Sequence, residues 1–118
     1  MDKIYEIQYS DGNNNEYRVQ KNKNIYSIEY LPVKPENSSS GDYSGGEEKK
    51  NSVSEKEFES LTEIILKLIK SENFAERRSM GTGLLIIKSK NSKKSYIFEY
   101  NSSEQEIIEN KLKELLQL

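Results

Sequence analysis

The chain has neither cysteine nor histidine among its 118 residues. Without thiols there are no disulfides, thiolate zinc sites or cysteine nucleophiles, and without imidazole every histidine acid–base scheme falls away. A cysteine-free chain fits the reducing cytosol. Apolar residues are scarce, 33% against 32% charged, so part of the chain is expected outside any core. Long hydrophobic runs are missing as well, and a stretch such as Leu84 to Ile87 is far too short to cross a bilayer. Met1-Asp2-Lys3 leads straight into a strand-like pattern, without the apolar segment of a signal peptide. A cytoplasmic protein with no membrane contact is therefore expected. The net charge of −2 makes no overall case for nucleic acid as a partner.

Against these absences stands one well-marked helix, Ser54 to Lys70. Ser54 and Glu57 have the spacing of a capping box, and Val53 and Phe58 that of a hydrophobic staple. Phe58, Leu61, Ile64, Ile65, Leu68 and Ile69 fall on one apolar stripe at helical period. Glu55, Glu59, Glu63, Lys67 and Lys70 fall on the other side, with Leu66 outside the stripe as a candidate outward contact. A second helix is predicted at the end of the chain. Ser103 is its expected cap and Glu106 its third residue, with Ile108, Leu112, Leu115 and Leu116 along one side.

The remaining patterned segments alternate as strands do. Tyr5, Ile7 and Tyr9 share a face in the first, Tyr17 and Val19 in the second, and Tyr26, Ile28 and Tyr30 in the third. Asp11-Gly12 and three asparagines read as a hairpin turn; as a calcium loop they fail where glycine and a bidentate glutamate are needed. None of the eight tyrosines lies in a predicted helix, which favours a true half-buried sheet. Leu84 to Lys88 is apolar on both faces and reads as a central strand, followed by a turn and by Tyr96, Phe98 and Tyr100 in alternation. The expected fold is α+β, one domain over 1–118: an antiparallel sheet of about five strands with two amphipathic helices on one face, in the order β-β-β-α-β-β-α. Residues 36–51 are expected to form a flexible loop, being polar and without period.

Two segments carry candidate sites. A lone tyrosine in a polar loop can anchor a partner, which nominates Asp42, Tyr43 and Ser44 for partner binding. Arg77, Arg78, Gly81, Thr82 and Gly83 join two of the three arginines to a glycine-rich turn and are nominated for anion binding. Residues 76 to 103 carry a local charge of +4, although no Walker motif is present. No catalytic constellation, cofactor motif or metal site is legible.

The function expected is that of a small non-enzymatic binding protein acting on a partner macromolecule, of inhibitor, immunity or anti-defence type. The alternative is a small-anion or nucleotide-binding module built on the Arg77-Arg78 turn. A protein partner is expected first, an anionic small ligand second, and a homodimer is compatible with the two-sided strand at Leu84 to Ile87. The richness in Asn, Lys, Ile, Tyr and Glu looks like coding from an AT-rich bacterial or phage genome.

Overall fold

A computed structural model describes residues 4–33, 45–71 and 74–116. Six strands and two helices follow one another: β1 (Ile4–Ser10), β2 (Glu16–Asn22), β3 (Ile25–Leu31), β4 (Lys49–Val53), α1 (Glu55–Leu68), β5 (Gly83–Ser89), β6 (Ser92–Phe98) and α2 (Ser103–Leu116). The strands form one sheet in the order β4-β3-β2-β1-β5-β6, every neighbouring pair antiparallel. This is the expected α+β order with one strand more.

The extra strand is β4, which places Lys49, Lys50 and Asn51 in the sheet rather than in a loop. It has almost no apolar alternation because it is an edge strand. Asn51 and Val53 stand on the core-facing side, opposite Ile28 and Tyr26, while Lys49 at the end of that side and Lys50 on the other are exposed, as edge strands commonly require.

Local chemistry explains the first hairpin. Asp11 Oδ1 accepts from the backbone N–H groups of Asn13 and Asn15, both at 2.9 Å, and Asn14 takes a left-handed φ of 66°. Asparagine tolerates that conformation better than most residues. The alternation along β1 slips once. A bulge between Ile4 and Glu6 turns Tyr5 outward, and Ile4, half-buried, packs against the core ahead of Ile7 and Tyr9.

The core lies between one face of the sheet and the two helices. Ile7, Tyr9, Val19, Ile28, Leu85 and Phe98 from the strands meet Leu61, Ile65, Ile108 and Leu112 from the helices, all fully buried. Burying each such aliphatic side chain contributes about 1.5–3 kcal/mol. Helix α1 has the expected capping box: Glu57 N donates to Ser54 Oγ at 3.1 Å, and Ser54 N donates to Glu57 Oε1 at 3.0 Å. The cap of α2 falls one residue earlier than its sequence suggests. Gln105 N donates to Ser102 Oγ, so Ser102 holds the position expected of Ser103, while the Gln105 side chain accepts from Asn101 N.

The helices cross the sheet in opposite directions. Helix α1 starts beside β3, where Phe58 packs on Tyr26, and ends where Ser71 donates to Glu104 at the start of α2. From there α2 returns past β1, where Glu109 meets Tyr9, to β4, where Asn51 Nδ2 donates to the Leu115 carbonyl. Both helices run diagonally. One corner of the helix-facing surface, over the ends of β1, β5 and β6, is left uncovered by either.

Candidate functional site

That corner is a groove of about 490 Å3. Its floor is apolar: Ile4, Ile87, Tyr26 and Tyr96 are contributed by four different strands. Its wall is one flank of α1, where Glu55, Glu59, Thr62, Leu66 and Ile69 succeed one another at spacings of 4, 3, 4 and 3 residues. Such spacings keep side chains in line along a helix. Lys21 and Lys94 complete the border from the sheet. The volume and the mostly apolar lining with a few charged groups match the general form of ligand and partner sites.

Charge is distributed unevenly along the groove. At the start of α1, Glu55 and Glu59 stand with Lys21, whose ammonium lies 5.7 Å from the centre of the Tyr26 ring. At the far end Lys94 stands with Leu66, Ile69 and Tyr96. Tyr96 is held there by Phe74, with ring centres 5.2 Å apart. Thr62 spends its hydroxyl on the Glu59 carbonyl at 2.8 Å. Leu66, the residue that falls outside the apolar stripe, is part of the wall. It was the single signal of this site in the sequence, because the floor is assembled from strands distant in the chain.

The Arg77–Gly83 segment is organised differently. Arg78 donates to the Thr82 carbonyl and hydroxyl, and to Asn14 Oδ1 at 3.0 Å, tying the turn to the β1–β2 hairpin. Thr82 is buried, and its hydroxyl donates to the Ser79 carbonyl at 2.8 Å. Gly81 has a φ of 84° beneath the Tyr100 ring, and Gln105 donates to its carbonyl at 2.8 Å. Gly83 lies in β5 under the Tyr9 phenol. An anion here would compete with protein groups that already use Arg78 and Thr82, whereas Arg77 is exposed. Asp42, Tyr43 and Ser44 lie outside the described residues.

Among the described residues, no helix lies on the other face of the sheet. Glu6 lies at its centre, accepting from Gln8 at 2.9 Å and Gln20 at 2.7 Å and paired with Lys88 at 2.7 Å. Burial acts to raise the Glu6 carboxyl pKa, but the bonds from Lys88 and Gln20 and the charges of Lys88 and Arg18 outweigh it, and the net displacement is downward. Leu84, Ile86 and Ile97 form a half-buried strip beside this network. The basic hairpin is divided between the two faces: Lys88 and Lys93 pair on this one, Lys94 on the groove side. Tyr100 falls beyond the end of β6, away from Tyr96.

No protein-family model matches the chain, and no curated protein or solved structure is significantly similar to it.

Proposed function

We propose that this chain is a non-enzymatic binding protein acting on a partner macromolecule, in the manner of an inhibitor or immunity protein, and that the groove beside α1 is its contact surface. The observation that supports this reading is the groove's apolar floor, where Ile4 and Tyr96 are only half-buried over Ile87, beside the half-buried Leu66. Concave apolar surface rimmed by charge favours association, because covering it removes apolar area from water.

Affinity capture from the source organism tests the reading, using the wild-type chain and Leu66→Glu side by side. A partner held by the wild type and lost by the variant, with the variant's circular dichroism unchanged, is the expected result. The same proteins retained by both would remove the groove as the contact. Tyr43→Ala, run in parallel, asks whether the loop nominated from the sequence contributes to the same complex.

A further inference from the structure

The spacing of the groove wall and the placement of its charges say what kind of partner surface fits. Building on the reading of the groove as the contact surface, we infer that its occupant is an amphipathic α-helix of the partner, packed antiparallel to α1, acidic in its first turns and basic in its last.

Three observations converge on this form. First, Glu55, Glu59, Thr62, Leu66 and Ile69 follow the alternating 4- and 3-residue steps with which one helix meets another along a seam. They run for roughly 21 Å of helix axis, a length that suits an extended rod more than a compact small molecule. Second, the two helices leave a corner of the sheet that neither covers, where Ile4 and Tyr96 are only half-buried beside α1 and Ile87 lies buried beneath them. A helix packed at the usual separation of about 8–10 Å from α1 would rest on that corner and extend the helical layer.

The third observation sets direction. Glu55 and Glu59 outnumber Lys21 at the N-terminal end of the wall, and Lys94, paired with Ile87 on the far strands, is the basic group of the groove away from that end. Basic side chains are favoured next to the two glutamates and an acidic side chain next to Lys94. Lysine and arginine suit the C-terminal turn of a helix, and aspartate and glutamate the N-terminal turn. Both preferences are met together when the incoming helix runs against α1. The two helix dipoles then oppose each other as well.

The test uses two labelled synthetic helices of about 18 residues, long enough to retain helicity in water, with leucines at heptad seam positions. One is acidic first and basic last; the other has the same composition with the charge order reversed. Fluorescence anisotropy against the full chain is expected to favour the acidic-first peptide by about tenfold at low salt, with the preference shrinking as salt rises. Leu66→Glu should abolish binding of both. The triple change Glu55→Lys, Glu59→Lys and Lys94→Glu, all at exposed positions, should invert the preference while leaving the fold intact.

Equal affinity for the two charge orders, a preference for the basic-first peptide, or failure of both peptides to bind the wild type overturns the inference. So does binding of dodecanoate that neither peptide displaces, which would mark a small amphiphile as the occupant. A wild-type dimer in sedimentation that Leu66→Glu converts to monomer overturns it in favour of a second copy of this chain. If affinity capture shows a partner lost on Leu66→Glu while the peptides show no charge-order preference, the helix inference falls and the groove reading stands.

Discussion

Tyr9 on β1 donates its phenolic hydrogen to Glu109 Oε2 on α2 across 2.6 Å, joining residues 100 positions apart. The phenol passes directly over Gly83, so three elements meet at one contact. Burial first, and then Glu109, hold the Tyr9 phenol protonated well above the ordinary tyrosine range. It acts as a donor throughout the range in which proteins fold.

Tyr9→Phe removes the donor and keeps the ring. The expected cost is about 1–2 kcal/mol in urea unfolding, with the denaturant slope unchanged because the exposed area hardly alters. Glu109→Gln separates charge from contact. Burial raises the Glu109 carboxyl above its ordinary value of 4.5, with Asp11 adding to the rise and the Tyr9 bond opposing it. A raised carboxyl stabilises the fold fully below the unfolded pKa and loses that contribution as pH rises through the folded value. Glu109→Gln should therefore flatten the decline in stability above about pH 4.5 that the wild type shows on this account.

Gly83→Ala tests the close approach. A Cβ there would overlap the Tyr9 hydroxyl and ring, while the backbone φ itself is not of the left-handed kind. The expected loss is about 1–3 kcal/mol, as for other overpacked core sites. Adding Tyr9→Leu should recover part of it, since the obstructing phenol is gone. Thermal melts of the single and double variants read this coupling.

Glu6 on the open face should show the opposite slope to Glu109. Its carboxyl is displaced downward from 4.5, so its contribution is present above the unfolded value and is lost as pH falls through the lowered folded one. Glu6→Gln is expected to lose that acid-side dependence. Lys88→Met leaves the carboxylate beside Gln8 and Gln20 without its ion-pair partner and should cost about 1–3 kcal/mol at neutral pH. Urea titrations at a series of pH values distinguish the two glutamates by the sign of the slope.

The arginine pair divides in the same way. Arg78→Ala removes the ties to Thr82 and Asn14 and is expected to destabilise by about 1–2 kcal/mol, whereas Arg77→Ala should stay within about 0.5 kcal/mol. Calorimetric titration with inorganic phosphate or nucleotides should give no heat with the wild type. Heat abolished by Arg77→Ala would favour the anion-binding alternative.

Much of the architecture was legible because its signals are local. The Ser54–Glu57 box and the stripe from Phe58 to Leu68 lie within one helix, and the alternations through Tyr17 to Val19 and Tyr26 to Tyr30 lie within single strands. Misreadings arose where context decided between close alternatives. Ser102 and Ser103 stand side by side at the start of α2, and the bond from Gln105 N makes the first of them the cap. Tyr5 fits the alternation with Ile7 and Tyr9 and Ile4 does not, yet the bulge turns Tyr5 outward and brings Ile4 toward the core. Lys49 to Ser52 carries no period at all, and its pairing with β3 alone makes it a strand.

By itself the sequence determined the types of element, their order and which faces turn inward, since periodicity and capping act over a few residues. It also removed thiol and imidazole chemistry outright. Only the tertiary structure decided where those elements meet. The diagonal crossing of α1 and α2 leaves one corner of the sheet bare, and the groove exists because Ile4, Tyr26, Ile87 and Tyr96 converge there from separate strands. The same long-range packing commits Arg78 to the β1–β2 hairpin and Tyr9 to Glu109. Contacts of that range follow from how layers pack, which no local pattern of residues encodes.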